Sequence, residues 1–203
     1  MVIILFGPNA VGKSTVGRQL AGRMQRAAYV EADLLKYFVA GGLVAWSAGL
    51  RPRQHPEEYR VQIELMTKNT ALLAGNFGAY GFDCVIEGLD LSEGPGSGWA
   101  EENLAGHDVR YIAVVCNADI ALQRLKERDG ITRDGSEYTN WLETAARKES
   151  GFDYVMDTST VAVHDCVTAC AKALNIDVVD SAAAMGVEWD IVQHQGKIDA
   201  SRT

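Results

Sequence analysis

The segment Gly7-Pro8-Asn9-Ala10-Val11-Gly12-Lys13-Ser14 restricts the fold of this chain more than any other stretch. It fits the pattern G-x-x-x-x-G-K-[ST]. An apolar run at 2–6 leads into it, and an amphipathic pattern from about 13 to 24 leads out. Strand, glycine loop and helix in that order form the context a phosphate-binding loop requires. Glycines let the backbone curl and turn successive N–H groups inward. The helix start adds a partial positive charge. In such a loop Lys13 faces the β- and γ-phosphates, Ser14 offers a hydroxyl to Mg²⁺, and Thr15 reaches the α-phosphate. The loop therefore predicts a nucleoside triphosphate, ATP with Mg²⁺.

The rest of the chain alternates apolar runs with helical patterns. Strands are expected at 2–6, 27–30, 84–86, 109–116 and 154–156. Helices are expected at 13–24, from 33 to 39, and at 57–79, 119–128, 141–150 and 161–174. Residues 41–56 and 88–98 read as loops, and 129–139 as a polar, glycine-bearing lid. Five strands alternating with helices predict an α/β fold: a three-layer α/β/α sandwich of the P-loop NTPase type, around a five-stranded parallel sheet. Residues 1–174 read as one domain, with acceptor binding at about 33–80. Residues 175–203 read as a partly ordered extension.

A phosphate cradle needs partners for the reaction. Phosphoryl transfer calls for positioning, charge neutralisation and a group that takes the nucleophile's proton. Asp33 follows the second strand at the carboxyl edge of the sheet, where open α/β folds bind ligands. Two roles are open to it, catalytic base or helix N-cap. Glu87 ends the third strand, where an acid can support Mg²⁺ or a substrate hydroxyl; Asp90 is the alternative in the same loop. Arg124 and Arg128 share a helix face at i, i+4, and Arg133 follows. They can close over the phosphates, or form a solvated face with Glu127 and Asp129. Tyr37, Trp46 and Arg53 are candidates for the acceptor pocket.

The 203 residues carry a formal net charge of −8. That argues against a broad basic surface, so duplex nucleic acid is not an expected partner. The six apolar N-terminal residues are too few for an export signal or a membrane span, and no later run reaches about 18. Cys84, Cys116, Cys166 and Cys170 form no CxxC pair and read as packing residues. A cytoplasmic protein without a membrane partner is expected, with a homodimer left open.

Taken in order, these motifs resemble the small P-loop kinases of the shikimate, gluconate and adenylate kinase type. They are most similar to the chloramphenicol phosphotransferase-like branch. The matching stretches are Val30-Glu31-Ala32-Asp33-Leu34-Leu35 and Phe152-Asp153-Tyr154-Val155-Met156-Asp157-Thr158-Ser159. The resemblance implies an acceptor hydroxyl deprotonated at Asp33. It also implies adenine held between Arg124 and the loop at Thr158 and Ser159. The third strand departs from that branch: it ends Ile86-Glu87-Gly88 where the branch has paired aspartates. The resemblance therefore implies an ATP-dependent kinase acting on a hydroxyl of a small molecule, a metabolite, sugar or antibiotic. One alternative is a nucleotide or polynucleotide-end kinase, supported by Arg51 and Arg53. Another is an ATP-binding regulatory module without an acceptor.

Overall fold

The computed structural model describes residues 1–44, 54–130, 132, 134–147 and 150–179, with the side chain of Leu91 left aside. Trp46, Arg51, Arg53 and Arg133 lie outside the described residues, as does the extension beyond residue 179.

Five strands, β1 (Val2–Phe6), β2 (Ala27–Glu31), β3 (Asp83–Glu87), β4 (Val109–Val115) and β5 (Tyr154–Asp157), form one parallel sheet in the order β2-β3-β1-β4-β5. Every residue of β1 is buried, as a central strand covered on both faces demands. Its alternation divides the core. Ile3 and Leu5 join one apolar cluster with Val16, Leu20, Val167 and Cys170. Val2, Ile4 and Phe6 join the other with Ala71, Ala74 and Trp141. The two clusters lie on opposite faces because successive strand residues point opposite ways.

Helices α1 (Lys13–Arg23) and α7 (Val163–Ala173) supply residues to the first cluster. Helices α3 (Pro56–Ala79), α4 (Trp99–Asn103) and α6 (Ser136–Ala146) supply the second. Helix α2 (Ala32–Leu35) is one turn at the exit of β2, and α5 (Ala118–Asp129) follows β4. Together they make the three-layer sandwich expected from the sequence. All four cysteines are buried and free. Burial pushes the Cys84 and Cys170 thiols up to about 12.

Four local expectations are corrected. The helix expected at 33–39 is α2 followed by a 3-10 turn at Lys36–Phe38, which leaves Phe38 exposed. The loop expected at 88–98 contains a 3-10 turn at Leu91–Glu93. Helix α4 is too short for periodicity to reveal it. The helix expected at 141–150 runs from Ser136 to Ala146, because Tyr138, Trp141 and Ala145 form its buried face. The last four residues of the expected lid, 136–139, are therefore helical. At the C-terminal side, residues 175–179 dock on the end of α1. The Val179 N–H donates to the Arg23 carbonyl, and the buried Arg23 guanidinium donates to the Val179 and His164 carbonyls and the Thr168 hydroxyl.

Gly17 sets how closely α1 meets the sheet. A Cβ there would lie 2.9 Å from both Leu5 Cδ1 and Tyr29 Cε2. Gly17→Val is expected to lower unfolding stability by about 1–3 kcal/mol through overpacking, read as a lower urea midpoint at unchanged slope.

Candidate active site

The phosphate loop begins where β1 leaves the sheet. A Cβ on Gly7 would stand 2.5 Å from the Val114 carbonyl oxygen, so no side chain fits there. Gly12 has φ +97° and caps α1 through its backbone alone. Ala10 has φ +62°, an uncommon conformation for a residue other than glycine. Lys13 Nζ donates to the Gly7 and Pro8 carbonyls at 2.8 and 2.9 Å, folding the side chain back over its own loop. Burial lowers the Lys13 pKa, against the opposing charges of Glu87 and Asp33. A strong anion beside Nζ would restore the cation's environment.

Parallel pairing places Glu31 of β2 beside Glu87 of β3 at the carboxyl edge. Glu87 is only 4% exposed. Its Oε1 accepts the Ser14 hydroxyl at 2.6 Å and the Tyr29 hydroxyl at 2.8 Å. Burial and then the Glu87 charge raise the Tyr29 pKa. Glu31 pairs with Arg18 at 2.7 Å, and the same guanidinium lies 5.1 Å from the centre of the Tyr29 ring. Burial, then Glu87, raise the Glu31 pKa; Arg18 opposes them.

Asp33 lies in the first turn of α2, whose N-cap is Glu31, so the N-cap role open to Asp33 in the sequence is not the one it takes. Its carboxylate is 3.5 Å from Lys36 Nζ. Gly88, at φ +87°, carries the exit of β3 past it. A Cβ there would come within 3.0 Å of the Asp33 nitrogen. Asp90 instead accepts the Ser92 N–H at 3.1 Å within its own exposed turn.

The two helix arginines behave differently. Arg124 donates to the Thr158 carbonyl at 2.9 Å, to the Thr158 hydroxyl at 3.3 Å and to Cys116 Sγ at 3.4 Å. The Thr158 hydroxyl donates to the Val11 carbonyl at 2.6 Å. Arg128 pairs with Asp129 at 2.7 Å, which raises its pKa, so one solvated partner open to it in the sequence is engaged. Ser159 donates to Asp157 Oδ1 at 2.5 Å and accepts the Asn117 N–H at 2.8 Å.

A cleft of about 1120 Å³ brings Lys13, Ser14, Asp33, Glu87, Arg124 and Arg128 together. Asn9, Ala10, Gly12, Thr15 and Thr158 also line it; Tyr37 does not, and is largely exposed on its 3-10 turn. Arg18, Tyr29 and Lys36 join the site although nothing in the sequence reading singled them out. One signal for Tyr29 was present, since it stands two residues before Glu31 on the same strand face. Among the described residues no three His, Cys, Asp or Glu side chains form a metal-ligating group. None of the described helices is long and apolar enough to cross a membrane.

Thr158 links the phosphate loop to the exit of β5. Thr158→Val leaves the Val11 carbonyl and an Arg124 N–H without their partner. A loss of about 1–3 kcal/mol in unfolding free energy is expected by denaturant titration.

Comparison with solved structures finds the same fold in proteins of low identity. The tunicamycin resistance protein of Deinococcus radiodurans superposes with a TM-score of 0.64 at 16% identity, covering 88% of this chain and 98% of that one. A sugar kinase from Janibacter sp. HTCC2649 gives 0.56 at 14% identity, covering 90% and 96%. A shikimate kinase from Acinetobacter baumannii, solved with shikimate, gives 0.51 at 18% identity, covering 86% and 92%. No curated protein matches the sequence. A family profile described as an AAA domain matches residues 3–140, from β1 through the start of α6. The chain belongs to this AAA domain family.

Proposed function

We propose that this protein is an ATP-dependent phosphotransferase that moves the γ-phosphoryl group of ATP to a hydroxyl of a small molecule. The observation that carries the reading is the meeting of Lys13, the Ser14–Glu87 pair and Asp33 on one cleft at the carboxyl ends of β1, β2 and β3. The kinase folds among the similar structures support it.

In this reading the nucleotide phosphates lie on residues 7–15. Lys13 exchanges the Gly7 and Pro8 carbonyls for phosphate oxygens. The acceptor oxygen forms a bond to the γ-phosphorus, the bond to the leaving ADP oxygen breaks, and the acceptor's proton passes to the Asp33 carboxylate. Lys13, Arg124 and Arg128 balance the charge of the transferring group. Arg124 and the loop at Thr158 and Ser159 frame the base.

The oxygens of Ser14 and Glu87 suit a hard divalent cation, which one carboxylate, one hydroxyl and substrate phosphates commonly hold. Mg²⁺ would supply charge neutralisation across the phosphates. Tyr29 donates to the same Glu87 oxygen as Ser14 and helps to orient the carboxylate. Residues 1–174 constitute the transferase domain, with the acceptor bound along 33–80.

The test is turnover with a panel of alcohols, sugars, nucleosides, nucleotides and oligonucleotides. Asp33→Asn is expected to keep ATP affinity while lowering turnover by roughly 10²-fold. Lys13→Ala is expected to lose both. Full activity in Asp33→Asn would remove it as the base. ATP hydrolysis that no acceptor stimulates would favour a regulatory module, and transfer only to nucleotide or oligonucleotide ends would move the acceptor class there.

A further inference from the structure

Two carboxylates end neighbouring strands, and the fold holds them in different ways. Glu31 and Glu87 are register partners on parallel strands, so their side chains leave the same face of the sheet. Tyr29, two residues before Glu31, shares that face. It is the face that α1 covers, where Tyr29 packs against the cluster of Leu5, Val16 and Val85. A Cβ on Gly17 would lie 2.9 Å from Tyr29 Cε2, and the Arg18 guanidinium lies 5.1 Å from the ring centre.

Glu87 is fixed through one oxygen. The Ser14 and Tyr29 hydroxyls both donate to Oε1, at 2.6 and 2.8 Å. Among the described residues no hydrogen bond reaches Oε2, and Glu87 lines the cleft. Two donors on one oxygen hold the carboxylate's rotation and leave the lone pairs of the other for a cation or its water. The Ser14 hydroxyl, its proton directed to Glu87, keeps lone pairs of its own.

Glu31 is held in the opposite sense. It is the N-cap of α2 but makes no side-chain capping bond, so its carboxylate is not tied to that helix. Its partner is Arg18 at 2.7 Å, the same side chain that lies over Tyr29. Arg18 thus neutralises a carboxylate that stands beside Glu87 and also lines the cleft. Without Arg18, Glu31 is a second anionic oxygen donor next to Glu87.

Ligand number and flexibility decide which hard cation such a site prefers. Mg²⁺ needs few carboxylates, keeps several waters and shares substrate phosphates, whereas Ca²⁺ takes more oxygens in a looser array. We propose that Arg18 and Tyr29 are positioning residues for the cation that accompanies the nucleotide: Tyr29 presents Glu87, Arg18 withholds Glu31, and the resulting one-carboxylate site selects Mg²⁺ over Ca²⁺. The proposal rests on the nucleotide and Mg²⁺ part of the phosphotransfer reading, and not on the transfer step.

The experiment is calorimetric titration of the full chain with a non-hydrolysable ATP analogue, offered metal-free, as its Mg²⁺ complex and as its Ca²⁺ complex. The wild-type chain is expected to bind the Mg²⁺ complex most tightly. Tyr29→Phe keeps the ring and removes the hydroxyl. Its affinity for the Mg²⁺ complex is expected to fall roughly tenfold, the usual effect of losing a hydrogen bond to a charged group, with metal-free affinity kept. Arg18→Leu is expected to raise affinity for the Ca²⁺ complex relative to the Mg²⁺ complex by roughly fivefold or more, through release of Glu31. Arg18→Lys is expected to restore the wild-type ratio, and adding Glu31→Gln to Arg18→Leu to remove the gain for Ca²⁺. A merely structural role would lower all three affinities together. That result, a ratio of Mg²⁺ to Ca²⁺ binding unchanged in both single variants, or a wild-type chain that gains nothing from either cation would overturn the proposal. Turnover measured beside it separates the two readings. Selectivity that shifts as expected without phosphoryl transfer to any acceptor refutes the kinase and keeps the cation assignment, whereas transfer with selectivity untouched by the variants refutes the assignment alone.

Discussion

The Val114 carbonyl accepts the Trp141 indole N–H at 2.9 Å and stands 2.5 Å from where a Cβ on Gly7 would be. At that point the central strand β1, its neighbour β4 and helix α6 meet, with no space for a further side chain. β1 must turn out of the sheet as bare backbone. The loop from Gly7 to Gly12 and the start of α1 follow from that turn, and so does the position of Lys13. Because β1 pairs with β3 on one side and β4 on the other, its end marks where the chain's connections diverge across the sheet. Ligands of open α/β sheets collect at such points.

A second constraint is electrostatic. Glu87 is buried beside Glu31, an arrangement of like charges that would be unfavourable alone. It is tolerated because the Ser14 and Tyr29 hydroxyls both donate to one Glu87 oxygen and because Arg18 pairs with Glu31. The result ties the phosphate loop, β2 and β3 at one atom. Arg124 and Thr158 make the corresponding tie on the other side, between Val11 and the exit of β5. The cleft is thus bordered by two polar clamps, one acidic and one basic. Asp33 stands at the acidic border, beside Gly88 and Lys36.

Much of this is legible in the sequence. The run at 2–6 is apolar at every position and has only one reading, a strand covered on both faces. The glycine-lysine-serine pattern after it is local, so it marked the loop and put the start of α1 at about Lys13. Asp33 and Glu87 follow strands directly, and their place at the carboxyl edge follows from parallel topology. Helix α6 was misplaced because its polar first turn looks like loop until Tyr138 is seen buried against the core. Tyr29 escaped notice because a tyrosine on an edge strand gains meaning only from the carboxylate across from it. Arg128 and Arg124, equivalent by spacing, divide because one has Asp129 within reach and the other meets Thr158.

By itself the sequence determined the elements whose causes are local: five apolar runs, a glycine loop of the phosphate-binding pattern, and acids at the ends of β2 and β3. Only the tertiary structure decided which of those groups share a cleft and which hydroxyls bond Glu87. Those relations join residues far apart in the chain, such as Ser14 with Glu87 and Val11 with Thr158. Periodicity and propensity act over a few residues, whereas such pairs are set by strand order, register and the close approach that glycine permits.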